Sequence, residues 1–150
     1  MLRPSLAVAA LVLAVGSFVS ACRPSNTPAS LQDGLSCGQR LVGGAWRFTG
    51  FNPNTPTDPQ RSQAITALQQ SIRLTFDGQT TRTTGTNVSA VNPYSITSDD
   101  GVSCKVVAAD PQGIRSETQI RFLDPYHIEV LDEQSQMPGR SSMERVPVGQ

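Results

Sequence analysis

Short segments of the chain alternate apolar with polar residues, which is the pattern of β-strands that bury one face. Trp46 and Phe48 alternate with polar neighbours in segment 39–50, and Leu74 and Phe76 do so in segment 72–76. A Thr-rich segment at 80–91 fits one or two further strands. The alternation recurs in segments 94–97, 102–108, 114–123, 126–130 and 139–148. The pattern therefore predicts about eight short strands.

One segment, 59–70, has a helical period instead. Asp58 and Pro59 suit the N-cap and the first position of a helix. Three of the apolar residues that follow share one helical face: Ala64, Ile65 and Leu68. We expect a short amphipathic helix here, between the first two strands.

The order of these elements indicates a mainly β fold. We predict a small antiparallel β-barrel of about eight strands, because closing the sheet removes its exposed edges. A two-sheet sandwich is the alternative. The expected core joins the apolar faces of four strands: Trp46, Phe48, Leu74, Phe76, Ile120, Phe122, Ile128 and Val130.

Composition and charge exclude one class of function, the binding of nucleic acids. Charged residues make up 16% of the chain, the formal net charge is zero, and Lys105 is the only lysine. A nucleic-acid surface needs clustered Lys and Arg, so we expect no nucleic-acid partner. The 12 glycines and 11 prolines suit a fold with many turns.

Residues 6–19 form an apolar run without charge, preceded by Arg3. About 20 such residues are needed to cross a membrane, so this run is typical of a secretory signal peptide. Val19 and Ala21 fit an ordinary signal-peptidase site, and a retained transmembrane anchor is a third interpretation. The segment 19–22, Val-Ser-Ala-Cys, also resembles the bacterial lipobox, in which a hydrophobic and two small residues precede a lipidated cysteine.

The number of cysteines favours the lipobox. An exported chain with three cysteines leaves one thiol unpaired. If Cys22 carries lipid, Cys37 and Cys104 remain as a pair for a structural disulfide in an oxidising compartment. A redox pair is the alternative, but the two lack the close Cys-x-x-Cys spacing.

These observations divide the chain into three segments. We assign 1–21 to a signal peptide, 22–36 to the lipidated Cys22 and a flexible tether rich in Pro and Ser, and 37–150 to the barrel domain. The lipobox resemblance implies lipid attachment to a membrane of the bacterial cell envelope. Arg23 stands where an Asp often signals retention in the inner membrane. The resemblance therefore implies the outer membrane, facing the periplasm or the cell surface.

The sequence Gly44-Ala45-Trp46 lies in the first predicted strand, and Arg145 lies in the last. A G-x-W in the first strand, with an Arg of the last strand packing over the Trp, resembles the lipocalin and calycin pattern. Over residues 41–147 the chain is similar to the short lipocalin-like domains of bacterial lipoproteins. The resemblance implies that Gly44, Trp46 and Arg145 close one end of the barrel.

No set of residues in the sequence indicates catalysis or a resident metal. His127 is the only histidine and alternates with Glu129 on a predicted surface face. A G-x-S-x-G elbow is missing from the sequence, and a zinc site needs more His and Cys than remain. The acidic clusters at 77–78, 99–101 and 132–133 have turn chemistry and lack EF-hand spacing. We therefore expect a protein that is not an enzyme and has no cofactor.

The function expected from the sequence is binding at the cell envelope. The lipocalin-like resemblance implies a small apolar or amphipathic ligand inside the barrel. The alternative is a protein-interaction module, such as an assembly factor or a protease inhibitor, with a filled barrel. A cavity of about 300 Å³ or more would favour the ligand.

Overall fold

A computed structural model describes residues 29–133 and 138–147 of the chain. In this part, eight antiparallel strands close into a barrel in sequence order, and β1 pairs with β8 to complete it. The strands are β1 Ala45–Pro53, β2 Arg73–Phe76, β3 Thr80–Gly85, β4 Val88–Asp99, β5 Ser103–Ala109, β6 Arg115–Asp124, β7 His127–Asp132 and β8 Gly139–Val146. The predicted mainly β barrel is confirmed, and the sandwich alternative is excluded.

The helix between the first two strands, α2, spans Pro59–Gln70 as predicted. Asp58 is its N-cap residue, although the Asp58 side chain makes no capping hydrogen bond. The prediction that α2 is amphipathic, with one apolar face buried, is wrong. None of its residues is buried, and Leu68 is 60% exposed. A closed barrel turns its apolar side chains inward, so a helix on its outside meets only the outward faces of the strands.

A second helix, α1, spans Cys37–Leu41, where we expected the first strand to begin. Ser36 and Gln39 form a capping box: Gln39 N–H donates to Ser36 Oγ, and Ser36 N–H donates to Gln39 Oε1. These reciprocal bonds satisfy amides that a helix start otherwise leaves open. The strand therefore begins only at Ala45.

A 3₁₀ turn, η1, at Ala29–Leu31 lies in the segment that we assigned to the tether. Leu31 is 3% exposed and belongs to the core cluster. Arg40 of α1 pairs with Asp33 and donates to the Leu31 carbonyl over 2.9 Å. Within the segment that we assigned to the tether, Leu31 and Asp33 therefore contact the folded domain.

The predicted core is confirmed. Trp46, Phe76, Ile120, Phe122 and Ile128 are buried. The other three expected members are partly buried and pack against the same cluster: Phe48, Leu74 and Val130. Further buried residues complete the cluster: Leu31, Cys37, Leu41, Cys104, Val106 and Met143.

The two ends of the barrel differ. At the closed end, where β1 begins and β8 ends, α1 packs against β4 and β5. At the mouth, the opposite end, strands β4, β6 and β8 begin. The predicted Asp77-Gly78 turn joins β2 to β3 at the closed end, and Gly78 has a φ of 97°, which favours glycine.

Candidate functional site

The closed end of the barrel holds the three residues of the G-x-W and Arg pattern. Trp46 of β1 lies opposite Arg145 of β8. The Arg145 guanidinium carbon is 4.9 Å from the centre of the Trp46 ring, within cation–π range. A Cβ on Gly44 would lie 3.0 Å from the Arg145 side chain, so glycine leaves the space that the arginine occupies.

Hydrogen bonds connect this cluster to α1. The Trp46 indole N–H donates to the Leu41 carbonyl over 3.2 Å, and Trp46 is fully buried. Arg145 donates to the carbonyl of Arg40 and, over 3.4 Å, to that of Val42. Burial lowers the pKa of Arg145. These hydrogen bonds from Trp46 and Arg145 thus fasten α1 over this end.

A disulfide makes a second connection between α1 and the barrel. The Cys37–Cys104 bond is present, with Cα atoms 5.8 Å apart, and it joins α1 to β5. Closing a loop of 67 positions contributes about 4 kcal/mol in the chain-entropy account. The predicted pairing of the two cysteines is confirmed.

Asp99 makes the third connection. Its carboxylate accepts the N–H of Cys37 over 2.9 Å, of Gly38 over 3.0 Å and of Gly101 over 2.9 Å. Burial alone would raise the pKa of Asp99, but these backbone donors outweigh it and hold the pKa below its usual value. The carboxylate is therefore a structural anion at the start of α1.

On the other side of the lumen, four consecutive strands present small side chains. The strand register identifies the inward positions, because directly opposed residues share one face. Thr83 and Ala90 align with the core residue Leu74, and Ala108 and Ser116 align with Tyr94. We call the full set the small-residue wall: Thr81, Thr83, Ala90, Asn92, Ala108, Ser116 and Thr118.

Most of the small-residue wall is accessible to solvent although it faces the lumen. Thr81 is buried at 8% exposure, Ser116 is exposed, and the other five are half-buried. Interior side chains of a filled eight-stranded barrel would be covered. Six of the seven wall residues thus keep surface that solvent reaches, while the closed end is packed by Trp46 and Phe122.

The wall also carries an unpaired acceptor. The side-chain oxygen of Asn92 is buried and has no hydrogen-bond partner among the described residues. A buried amide oxygen without a donor is costly by about 1–3 kcal/mol. A donor that enters the lumen, from water or from a ligand, would satisfy it.

A separate cleft of about 370 Å³ lies beside α1. Val42, Tyr94 and Ile96 supply its apolar lining, and Asp99 is its charged residue. The Asp99 carboxylate already accepts three backbone donors. Burial raises the pKa of Tyr94, which therefore stays neutral at neutral pH. Because the Asp99 acceptors are occupied, we regard the small-residue wall as the better binding site.

His127 lies away from the lumen. Its side chain is 52% exposed, and its Nδ1 lies 2.8 Å from the Asp124 carboxylate. The neighbour that we expected, Glu129, instead contacts Arg140 at 3.6 Å. Among residues 29–133 and 138–147, no three His, Cys, Asp or Glu side chains are grouped to hold a metal ion.

The predicted lipidation site, Cys22, lies outside the described residues, as does the apolar run at 6–19. Within the described ranges, none of the helices is long and apolar enough to span a bilayer. Comparison of the chain with protein-family models, with curated proteins and with solved structures finds no match in any of the three.

Proposed function

We propose that this protein is a lipid-anchored binding protein of the bacterial cell envelope. Its barrel takes up a small amphipathic ligand through the mouth, as the lipocalin-like resemblance implies. The lipid is carried by Cys22, and the barrel faces the periplasm or the cell surface. The protein acts by binding and not by catalysis, so the exposed His127 has no chemical role.

The observation that carries the proposal is the solvent-accessible small-residue wall inside a closed barrel. By register, Ala90 and Ala108 present only methyl groups to the lumen, and Asn92 supplies an acceptor for a ligand donor. The opposite side of the lumen is apolar, with Phe48 and Val130 only partly buried. Binding sites commonly combine an apolar lining with a few polar groups that fix orientation.

Two neighbouring alanines allow a matched test. Ala108 faces the lumen, whereas Ala109, the next residue of β5, faces outward beside Pro93 and Arg115. Ala108→Leu should fill the lumen, and Ala109→Leu adds the same atoms outside it. The full chain is purified from bacterial membranes in detergent, and the small molecules extracted from it are identified by mass spectrometry.

We expect the Ala108→Leu variant to retain at least tenfold less of the copurified ligand than the parent, and the Ala109→Leu variant to retain the parental amount. If both variants retain the same amount of ligand, the ligand does not bind in the lumen. Thermal unfolding of each variant verifies that the barrel still forms.

A protein-interaction module is the second candidate, favoured by apolar side chains around the mouth. Ile114 is 68% exposed and Val88 is 38% exposed, and both lie beside strand ends at this opening. Exposed apolar clusters commonly mark binding surfaces for proteins. If Ile114→Ser abolishes a defined protein complex while Ala108→Leu leaves it intact, the partner binds the rim and this second candidate replaces the first.

A further inference from the structure

Two arginines face each other on the outside of the barrel. Arg47 of β1 and Arg73 of β2 are directly opposed in the strand register. Their neighbours Trp46 and Leu74 point into the core, so alternation turns both guanidinium groups outward. Opposed residues have Cβ atoms about 4.5–5.5 Å apart, and like charges at this position destabilise the pair.

The negative charge nearby balances only one of these arginines. Arg47 forms an ion pair with Glu144 on β8. Arg73 donates through Nη1 to the carbonyls of Gln70 and Ile72, over 3.1 and 3.3 Å. Among the described residues, no carboxylate forms an ion pair with Arg73. The site therefore keeps a net positive charge.

Arg82 of β3 increases this charge. It is opposed to Thr75, two positions along β2 from Arg73, and is therefore a diagonal neighbour of Arg73 on the same outward face. Arg82 also forms no ion pair within the described part of the chain. Three arginines thus lie on the outward face of three adjacent strands, and within the described residues Arg47 alone among them forms an ion pair with a carboxylate.

The arginines border a cleft at the point where two strands separate. Pairing between β1 and β2 ends at Arg47 and Arg73, and β1 continues beside β8 as far as Pro53. The resulting gap, which we call the arginine cleft, has a volume of about 320 Å³. Its lining consists of Arg47, Phe48, Thr49, Gln70 and Arg73.

The polar groups of this lining are mostly hydrogen-bond donors. Each guanidinium carries five N–H groups and no acceptor, and Thr49 and Gln70 add a hydroxyl and an amide. Arg73 uses only Nη1 in its bonds to the carbonyls. Guanidinium groups match the geometry of phosphate oxygens and bind them by parallel hydrogen bonds.

We propose that the arginine cleft binds a phosphate group, held between Arg47 and Arg73 on the outer face of the barrel. The group is either a free phosphate or the phosphate of a lipid headgroup. Both arginines point away from the lumen, and Phe48 is the cleft residue that also packs against the core. The proposal therefore stands or falls independently of the ligand proposed for the small-residue wall.

The test uses the full chain in a non-ionic detergent, titrated with inorganic phosphate at constant ionic strength. Arginine Nε–Hε signals are followed by NMR, and the affinity is measured by calorimetry. We expect saturable shifts at Arg47 and Arg73. Arg121, an exposed arginine on β6 without an ion pair to the described residues, should not shift.

Two variants that remove the same charge complete the test. Arg73→Gln should weaken phosphate binding at least tenfold, whereas Arg121→Gln should change it less than twofold. Because Arg73 also holds carbonyls at the end of α2, the fluorescence of Trp46 is used to verify folding. The NMR shifts of the parent protein test phosphate binding at the arginine cleft without any substitution.

A second arm replaces inorganic phosphate with phosphatidylglycerol in the detergent micelles. A response to inorganic phosphate identifies a free ligand, and a response to the lipid alone identifies a headgroup; both support the cleft. The proposal is overturned if neither titration saturates. It is also overturned if Arg73→Gln and Arg121→Gln weaken binding equally, because the effect would then be general attraction of anions.

Discussion

Replacing Trp46 by alanine tests whether the closed end holds the barrel together. Truncating a buried large aromatic residue typically costs about 3–5 kcal/mol, and Trp46 is 0% exposed. Its edge-to-face contact with Phe122, at 5.7 Å between ring centres, is worth about 0.5–1.5 kcal/mol beyond the buried area. The Leu41 carbonyl would also lose its indole donor.

The expected destabilisation is therefore about 4 kcal/mol, a large share of the roughly 5–15 kcal/mol that holds a domain folded. In urea, with a slope of about 2 kcal/mol per molar for a small protein, the unfolding midpoint should fall by about 2 M. Circular dichroism must report the transition, because Trp46 is the only tryptophan and the variant loses its fluorescence.

His127→Ala is the matched control. Its side chain is 52% exposed and contacts Asp124 at the surface, so we expect a change below about 1 kcal/mol. If Trp46→Ala lowers the free energy of unfolding by less than about 1 kcal/mol, the reasoning is refuted, because truncating a fully buried aromatic residue should destabilise the fold. A folded His127→Ala protein that has lost a measured activity would contradict the proposal that the protein acts only by binding.

Two further predictions concern the anchor and the acid range. Cys22→Ser should abolish membrane fractionation, and a variant processed and membrane-bound like the parent would exclude lipidation. The pKa of Asp77 is held at about 2 by the N–H and hydroxyl of Thr80 and the N–H of Gln79, below its unfolded value of about 3.9. The stability that Asp77 contributes is thus present above about pH 4 and lost as pH falls through about 2. The difference in Tm between parent and Asp77→Asn should therefore be smaller at pH 2 than at pH 5, and an unchanged difference would contradict the assignment.

The barrel could be predicted from the sequence because its signals are local. Alternation within each strand marks the buried face, and residues such as Phe122 and Ile128 pair in register as their patterns indicate. The disulfide was predicted from the number of cysteines: with Cys22 assigned to lipid, only Cys37 and Cys104 remained to pair. Such signals need no knowledge of which strands are neighbours.

Two local features were interpreted incorrectly for different physical reasons. The capping box of Ser36 and Gln39 is visible in the sequence, but α1 has only five residues, too few for a helical period to emerge. The face of α2 that includes Leu68 has the right spacing, yet none of its residues is buried against the outside of the barrel. Spacing predicts an element better than it predicts what that element packs against.

The arginine cleft and the small-residue wall depend on register, which no single segment specifies. Arg47 and Arg73 are 26 positions apart in the chain, and their opposition is fixed only when β1 pairs with β2. Likewise, Ala108 is a wall residue because it aligns with Tyr94 and Ser116. The identity of each residue is visible in the sequence, but the site it belongs to is a property of the closed sheet.

The register also separates the part of the barrel that stabilises the fold from the part that is free to vary. Trp46, the disulfide and the carboxylate of Asp99 all act at the closed end, where α1 is fastened. Side chains as small as Ala90 and Ala108 bury little apolar area, and each buried CH₂ contributes only about 0.8 kcal/mol. Substitutions on the wall therefore alter the shape of the lumen at small cost to folding. In the function proposed here, that separation lets the barrel change its ligand without losing its fold, because binding depends on positions that contribute least to stability.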